Sequence, residues 1–425
     1  MTEEYGLSYP TTSVDWIQGI NMDRLRDGRL ARAKEQLFEV SKFGAFLSLN
    51  EWNTRYISST YTPQWTTPSS GLRYSLLCRD ADWPIVYEQG DIGYHTKRFC
   101  PWLGDENVKY AITGMGWIAR CMGKGAHEAA VKRFIDQIYG DLKRHGVEKE
   151  PLALDFSDPF IDAAFEKKGV QTTGEGYMAM LDARKIKLTE EIQCLRNVCT
   201  ISDGMFEALR SNVRPGVSEN EILGEVFRAC YRAGGEVHSG VFVTSGPYTW
   251  PNLRHWTGRR LNPGDVIYMD CYNASWNGYK TCYYRTFNLD EPSKATRDAY
   301  QRAYDWLYAA IDIIKPGVTT KEIAEKWPSG PEVWADIGVM HEDQTAGNNW
   351  AHGIGLTLYE PPMVWRGCSL EHPQVIEEDM CFAIETQEGD HEGQGVRIEE
   401  VIHVTKTGVE ILSKWPVKEI SVVSI

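Results

Sequence analysis

Hydrophobic and polar positions along the first part of the chain change repeatedly between helical and strand spacing. Residues 24–42 (RLRDGRLARAKEQLFEVSK) and 127–146 (HEAAVKRFIDQIYGDLKRHG) place apolar residues at the 3.6-residue period of an amphipathic helix. The short apolar runs at 43–49 (FGAFLSL) and 74–78 (YSLLC) predict strands. Together these segments predict alternating helices and strands.

A helix-favouring segment at 181–211 opens the second half of the chain, with Thr189 as the predicted N-cap ahead of two glutamates. A chain of 425 residues is too long for one ordinary core. We therefore predict an N-terminal α/β domain over 1–180 and a second domain over 181–425.

The second half contains a weak internal repeat. RPGVSENEI at 214–222 recurs as KPGVTTKEI at 315–323, and in both copies Pro-Gly ends one helix before a Ser or Thr cap begins the next. The repeat indicates a duplicated αβ unit whose copies face each other around a central sheet. The alternative is chance similarity of a common helix-turn-helix pattern.

Charge limits the partners that we expect. The formal net charge is −14 at pH 7, while 42% hydrophobic and 24% charged residues are ordinary for a globular protein. A surface of this sign repels nucleic acid and anionic membranes within a Debye length. We predict neither of these partners, and a small cationic or zwitterionic substrate instead.

Cysteine usage and the chain start favour a cytoplasmic location. Ten cysteines contain no CxxC pair, which is typical of reduced thiols and unlike a zinc ribbon or a disulfide framework. Residues 1–20 lack a basic start followed by an apolar run, and no stretch approaches the roughly 18 apolar residues of a membrane span.

Four segments of the second half carry the candidate chemistry. GDVIYMDCYNASWNGYKTCYYRTF predicts a hairpin with a carboxylate on its first strand and a thiol on its second. The strand-like segments WAHGIGLTLYEPP, CFAIETQEG and GVRIEEVIHVT each add one imidazole or acidic side chain. In chain order the candidates are Asp270, Cys282, His352, Glu385 and Glu399.

With these flanking sequences the chain resembles the pita-bread fold family, which includes methionine aminopeptidase, aminopeptidase P, prolidase and creatinase. The matching motifs are SGP at 245–247, RRLNPGD at 259–265, NGY followed by RTF within 277–287, HGIG at 352–355, EPP at 360–362, and RIEE ahead of VIHVT. The resemblance implies a mixed α/β (α+β) fold with a C-terminal pita-bread domain, a smaller creatinase-like N-terminal α/β domain, and a homodimer.

Three positions depart from the family pattern. In the metal-dependent relatives these carboxylates and the His hold two divalent ions that share a bridging water. Cys282 stands where the bridging aspartate belongs, and the hairpin is one residue longer than in those relatives. Tyr359 replaces a substrate-facing His, and Leu253 replaces another, although His255 follows two residues later on the same predicted strand face.

The first departure bears on the metal. An aspartate bridges two ions with two oxygens, whereas a cysteine offers one soft sulfur, so a two-metal centre is not expected. One alternative is a single zinc or iron ion among Asp270, Cys282, His352, Glu385 and Glu399. The other is no metal, as the resemblance to creatinase implies.

Three acids within several Å cannot all ionise without a cation among them. If no metal binds, the positive charge arrives with the substrate, which Glu399 would help to anchor. Aromatic rings attract such a cation, and the predicted substrate-binding rings are Tyr61, Trp65, Trp250 and Trp256. The alternative for these rings is packing at a dimer interface.

We predict from this a non-peptidase hydrolase or lyase that cleaves a C–N or C–S bond of a small cationic or zwitterionic metabolite. The chain also resembles dimethylsulfoniopropionate lyases in its SGP-x-T segment and hairpin spacing. Glu385 is the predicted general base and His352 its proton partner, with Asp270, Tyr359 and His255 as further catalytic candidates. The alternatives are a metal-dependent Xaa-Pro aminopeptidase or prolidase, and a catalytically inactive binding module on the same fold.

Overall fold

A computed structural model of the chain describes residues 19–61, 72–90, 92–112, 121–237, 240–252, 254–345 and 349–425. Two compact units are found within these residues: 21–184, and 185–425 together with residues 19 and 20. Each unit builds helices around sheets, so the predicted mixed α/β class is confirmed.

The N-terminal unit contains a six-stranded mixed sheet. Its strands are β1 (Ala45–Ser48), β2 (Tyr74–Cys78), β3 (Ile85–Glu88), β4 (Val108–Tyr110), β5 (Leu152–Leu154) and β6 (Thr172–Thr173), in the order β4-β3-β2-β1-β5-β6. Its helices are α1 (Met22–Lys34, continued by π-helical Glu35–Val40), α2 (Glu51–Ser58), α3 (Ile92–Phe99), α4 (Lys124–Arg144), α5 (Pro159–Glu166) and α6 (Gly176–Lys185). The helices and strands predicted for this part of the chain are confirmed.

The core of this unit lies between α4 and the sheet. The apolar face of α4 buries Phe134 and Ile138 against strand residues that include Leu76. The ring of Tyr74 meets Phe134 edge-on with centroids 4.9 Å apart, a favoured geometry for aromatic pairs. The 3.6-residue period of α4 thus follows from the sheet that it covers.

The second unit contains three sheets. Its strands are β7 (Glu236–Val237), β8 (Phe242–Ser245), β9 (Val266–Asp270), β10 (Ala274–Trp276), β11 (Tyr279–Lys280), β12 (Tyr284–Leu289), β13 (Trp350–Gly353), β14 (Glu360–Trp365), β15 (Cys381–Gly389), β16 (Gly395–Val404), β17 (Val409–Ile411) and β18 (Ser421–Val423). The sheet orders are β11-β10-β7, β18-β12-β9-β8 and β14-β13-β15-β16-β17. Its helices are α7 (Thr189–Asn212), α8 (Glu219–Arg232), α9 (Lys294–Ile311), α10 (Thr320–Ala324), α11 (Gly330–Trp334) and α12 (Arg366–Ser369).

The four- and five-stranded sheets meet where β12 lies beside β16. The hydroxyl of Thr286 donates to the carbonyl of Arg397 at 2.6 Å and accepts from its backbone N–H at 3.0 Å. One side chain on β12 therefore continues the hydrogen bonding across to β16. This junction brings the ends of β9, β13, β15 and β16 to one place.

The internal repeat recurs as structure. Ser218 and Thr319 are N-caps, as predicted, and each forms a capping box with the glutamate three residues later. The residue before each cap also pairs in the same way: Leu261 N–H donates to the Val217 carbonyl, and Ile376 N–H donates to the Val318 carbonyl. The shared pattern supports a duplicated unit over chance similarity.

The predicted cap at Thr189 is wrong by one residue. Leu188 is the N-cap of α7, and its backbone N–H donates to the carboxylate of Glu191 at 2.9 Å.

In the described residues no helix is both long and apolar enough to cross a membrane.

Candidate metal centre and active site

The three candidate acids lie in two cross-strand pairs, one of which contains a tyrosine. Asp270, at the end of β9, lies opposite Tyr284 on β12. Glu385 on β15 lies directly opposite Glu399 on β16. Like charges directly opposite each other are unfavourable, so this arrangement requires a compensating positive charge.

The segment 264–287, predicted as a hairpin of two strands, folds into four strands. A short excursion, β10 and β11, is inserted between β9 and β12 and turns at Asn277 and Gly278, which have φ of 51° and 79°. Asn-Gly is the preferred pair for a tight turn with two positive φ values. Cys282 therefore lies just before β12 rather than on it, buried, with its Sγ 3.7 Å from Asp270 Oδ1.

Three of the candidates offer ligand atoms to one point. A sulfur of Cys282, an imidazole nitrogen of His352 and a carboxylate oxygen of Glu399 all lie within 4.8 Å of one another, and all three side chains are buried. The distance from His352 Nε2 to Glu399 Oε1 is 3.8 Å. This nitrogen and this oxygen are close enough to share an ion and too far apart to be hydrogen bonded to each other.

The proton of His352 is on the side away from this point. Nδ1 contacts the carbonyl of Leu358 and lies 3.3 Å from that of Gly353. Burial lowers the pKa of His352 to about 4, so the imidazole is neutral near pH 7. Nδ1–H donates to the carbonyls, and the lone pair of Nε2 faces Glu399.

Glu399 presents unused oxygens to that lone pair. Among the residues that the structure describes, neither of its carboxylate oxygens has a hydrogen-bond partner of normal geometry. Burial, and then the charges of Glu385 and Asp270, raise its pKa well above the usual range, while the charge of Arg397 and then the Cys282 thiol act in the opposite direction. A buried carboxylate left without a donor is costly.

The donor chemistry fits a divalent ion. Sulfur, imidazole nitrogen and carboxylate oxygen are the ligand types of zinc, and soft thiolates also bind other transition metals. A cation placed among Cys282, His352 and Glu399 would give the Glu399 carboxylate the partner that it lacks. These three residues could therefore hold the metal.

Glu385 is engaged elsewhere. Its Oε2 accepts from Arg397 Nε at 2.7 Å, and its Oε1 accepts from the indole N–H of Trp350. Arg397 is itself held, since its Nη1 donates to Asn252 Oδ1 at 2.9 Å and its guanidinium lies 4.2 Å from the ring centroid of Tyr284. The guanidinium is a fixed positive charge inside the cluster of acids.

Asp270 is held mainly by hydrogen bonds. Its Oδ1 accepts from the backbone N–H of Tyr272 at 2.9 Å, and the Tyr284 side chain also hydrogen-bonds to it. Burial, and then the charge of Glu385, raise the pKa of Asp270 to about 7, while Tyr284 and Arg397 act in the opposite direction. The charge on Asp270 is therefore sensitive to any cation that approaches.

Two further catalytic candidates lie at the margin. Tyr359 is 56% exposed, and its ring centroid is 5.0 Å from that of His352. His255 is exposed and contacts the rings of Phe242 and Trp256. Of these two residues, Tyr359 is the one whose ring lies beside a ligand candidate, His352.

The aromatic candidates that the structure describes differ in burial and in their neighbours. Trp250 is half-buried and covers Gly389 and Gly395, where an added Cβ would come within 2.7 and 2.8 Å of its indole. Trp256 is half-buried beside Phe242, and Tyr61 is exposed in the N-terminal unit. Trp65 and Leu253 lie outside the described residues. Trp250 thus has a packing role at the β15–β16 turn.

Sequence reasoning missed Arg397 and Trp350. Each stands two residues before a candidate that was identified, Glu399 and His352 respectively, and the two-residue strand period puts each pair on one face. That spacing was available in RIEE and WAH. The registers of β13 with β15 and of β15 with β16, which bring both donors to Glu385, could not be predicted from the sequence.

Known proteins with similar sequences are peptidases by name. The chain is 26% identical over 233 residues to a probable dipeptidase PepE of Mycobacterium tuberculosis strain H37Rv, an alignment that covers 55% of this chain and 60% of that relative. It is 26% identical over 298 residues to the Xaa-Pro dipeptidase of Pyrococcus furiosus, covering 69% and 81%. The chain thus spans less than two thirds of the length of the mycobacterial relative.

Solved structures show the same fold. The Xaa-Pro dipeptidase from Bacillus anthracis superposes with a TM-score of 0.69 at 21% identity, covering 93% of this chain and 99% of that one. The X-Pro aminopeptidase from Thermotoga maritima gives 0.71 at 22% identity, covering 92% and 99%. The predicted pita-bread fold is confirmed.

These findings overturn the leading functional prediction. A non-peptidase hydrolase or lyase, and a relation to dimethylsulfoniopropionate lyases, are wrong, since the relatives found are named as dipeptidases and Xaa-Pro dipeptidases. The predicted small cationic substrate has no support. The physical error was a charge count that left out Arg397.

The family itself is established by the sequence. Residues 193–406, which are 214 of the 425, match the family described as metallopeptidase family M24. That range includes every ligand candidate from Asp270 to Glu399. By this match the chain belongs to metallopeptidase family M24.

Proposed function

We propose that the protein is a divalent-metal-dependent dipeptidase, with Xaa-Pro dipeptides as the first substrates to test. The observation that carries the proposal is the buried cluster of ligand atoms from Cys282, His352 and Glu399, in which neither Glu399 oxygen has a hydrogen-bond partner of normal geometry. Names of relatives support the substrate class, since they include dipeptidase and Xaa-Pro dipeptidase.

A bound divalent ion supplies a Lewis acid for the scissile carbonyl and lowers the pKa of a water molecule. Cys282, His352 and Glu399 would hold this ion. The backbone carbonyls at Gly353 and Leu358 fix the imidazole so that Nε2 faces the site. Such support orients a metal ligand and favours its neutral tautomer.

The remaining groups bind the substrate and handle protons. Glu385, which accepts from Arg397 and Trp350, is a positioned proton acceptor, and burial raises its pKa while these two donors oppose the rise. Asp270 adds an acidic oxygen that attracts the α-ammonium group of a dipeptide. The phenol of Tyr359, at the exposed margin, is available to donate a hydrogen bond to the substrate.

Hydrolysis of dipeptides by metal-loaded protein tests the proposal. Purified protein is loaded with Mn²⁺, Co²⁺ or Zn²⁺ and incubated with Xaa-Pro and other dipeptides, and released amino acids are measured by chromatography. We expect hydrolysis that is lost in Glu399→Gln and retained in Glu378→Gln, a matched change at an exposed position. No hydrolysis with any ion, or full activity in Glu399→Gln, contradicts the proposal.

The homodimer and the cytoplasmic location expected from the sequence stay predictions. Light scattering during size-exclusion chromatography measures the first. A measured mass equal to that of one chain under native conditions would contradict the predicted homodimer.

A further inference from the structure

We propose that this site binds one divalent ion through the sulfur of Cys282, and that the guanidinium of Arg397 occupies the role of a second cation against Glu385. The inference rests on the proposed function, because the ion is the cofactor of that reaction. It adds the number of ions and the identity of the ligand that selects them.

The first argument is the geometry of the ligands. Cys282 Sγ lies in the one described cluster of metal-binding atoms, with His352 and Glu399, and Asp270 Oδ1 is 3.7 Å from the same sulfur. When a thiol coordinates a metal it loses its proton, which passes to solvent. A sulfur here favours zinc or cobalt over manganese or magnesium, which prefer oxygen.

The second argument is that each oxygen of Glu385 already accepts a hydrogen bond. Its Oε2 accepts from Arg397 at 2.7 Å and its Oε1 accepts from Trp350. The two side chains are 4% and 2% exposed in the Arg397–Glu385 pair, so water does not weaken it. A second ion at Glu385 would have to displace a buried guanidinium or lie against its like charge.

Arg397 is also unable to swing away at low cost. Asn252 Oδ1 accepts from its Nη1 at 2.9 Å, and its guanidinium stacks at 4.2 Å over the Tyr284 ring. These contacts leave Nε free to donate to Glu385 Oε2. The positive charge is therefore part of the folded site.

Charge balance agrees with one ion. With an ion bound and Asp270, Glu385, Glu399 and Cys282 all ionised, the site carries four negative charges, and Arg397 with one divalent ion carries three positive charges. The single negative charge that remains matches the α-ammonium group of a dipeptide. A second divalent ion would reverse the sign of the site and repel that group.

Cobalt binding tests the inference directly. Protein stripped with a chelator is titrated with Co²⁺, and bound metal is counted by mass spectrometry after desalting. We expect one equivalent per chain and a thiolate-to-cobalt charge-transfer band that saturates at one equivalent. Cys282→Ser should lose the band, whereas Cys368→Ser, at an exposed cysteine, should keep it. Two equivalents, no bound cobalt, or no band overturns the inference.

A measurement on unaltered protein removes any dependence on the folding of a variant. X-ray absorption of the zinc-loaded protein should show one sulfur at about 2.3 Å. A first shell of oxygen and nitrogen alone overturns the assignment of Cys282.

Cys282→Asp separates the roles of sulfur and arginine. We expect this variant to lose the charge-transfer band and still bind one ion, because Arg397 remains on Glu385. Two ions in the variant would show that Arg397 does not fill the second place. The dipeptidase assay is independent: one cobalt with a thiolate band and no hydrolysis refutes the proposed function alone, and hydrolysis with two ions refutes this inference alone.

Discussion

Replacement of Lys187 by methionine should destabilise the protein far more than the same change at Lys185. Lys187 Nζ donates to Glu360 Oε2 at 2.7 Å, and both side chains are 1% exposed. Lys185 Nζ lies 2.6 Å from Glu377 Oε1, but these side chains are 31% and 48% exposed. The two pairs match in residue type and distance and differ in burial.

The expected magnitude follows from that difference. Lys187→Met strands the buried Glu360 carboxylate without its cation, a change that costs about 3–5 kcal/mol. Lys185→Met breaks a pair in contact with solvent, which contributes about 0–1 kcal/mol. The unfolding equilibrium should therefore shift by roughly two to four orders of magnitude in the first variant and by less than about tenfold in the second.

The buried pair also bears on the candidate metal site. Glu360 Oε1 accepts from the backbone N–H and hydroxyl of Thr357, at 3.2 and 3.0 Å. The next residue, Leu358, supplies the carbonyl that contacts His352 Nδ1. Loss of Lys187 should therefore weaken ion binding by about 10–100-fold, the usual effect of losing a group that orients a ligand.

Urea unfolding followed by tryptophan fluorescence measures the free energies, and isothermal titration measures ion affinity. The double variant Lys187→Met/Glu360→Gln should recover part of the stability, because it no longer buries an unpaired charge. A Lys187→Met free energy of unfolding within 1 kcal/mol of Lys185→Met would refute the reasoning.

Three further predictions concern the site. Trp350→Phe removes the indole N–H that donates to Glu385. We expect the free energy of unfolding to fall by about 1.5–3 kcal/mol and kcat to fall as well. Unchanged values of both would contradict the contact. Gly355→Ala would place a Cβ 2.5 Å from a carboxylate oxygen and should cost about 1–3 kcal/mol, whereas Gly258→Ala, with open space around it, should not. Chelation should lower the melting temperature, and zinc should restore it. At an ion concentration 100 times Kd, zinc should add about 2.7 kcal/mol to the free energy of unfolding, and Glu399→Gln should show no such response.

Local features were predictable from the sequence. The caps at Ser218 and Thr319 need only a hydroxyl and a glutamate three residues later, so nine letters specify them. The strands ending at Cys78 and Asp270 follow from apolar runs bounded by turn residues. The motifs HGIG and RIEE likewise brought His352 and Glu399 into one list before their contact was known.

Contacts that depend on register were not predictable. The engagement of Glu385 by Arg397 and Trp350 requires both β13–β15 and β15–β16 alignments, and no local pattern encodes them. Without Arg397 the acids seemed to need a cation from the substrate, and this led to the wrong enzyme class. The guanidinium lies two residues from Glu399, so the missing charge was in the quoted motif.

The duplication explains why the acids meet. Leu261 and Ile376 make the same hydrogen bond in the two copies, and nine residues after each comes a buried strand acid, Asp270 or Glu385. The copies differ in the residue across the ladder, which is Tyr284 for Asp270 but Glu399 for Glu385. Negative charge is therefore concentrated on the second copy.

The positive charges are distributed to match that asymmetry. Arg397 lies between the copies, since it bonds to Glu385 and stacks on Tyr284, which in turn hydrogen-bonds to Asp270. Among the described acids of the site, Glu399 is the one that has no hydrogen-bond donor on either oxygen. Because His352 and Cys282 also place a ligand atom within 4.8 Å of it, the described residues offer one cluster of ligand atoms to a cation, and the sulfur of Cys282 belongs to that cluster.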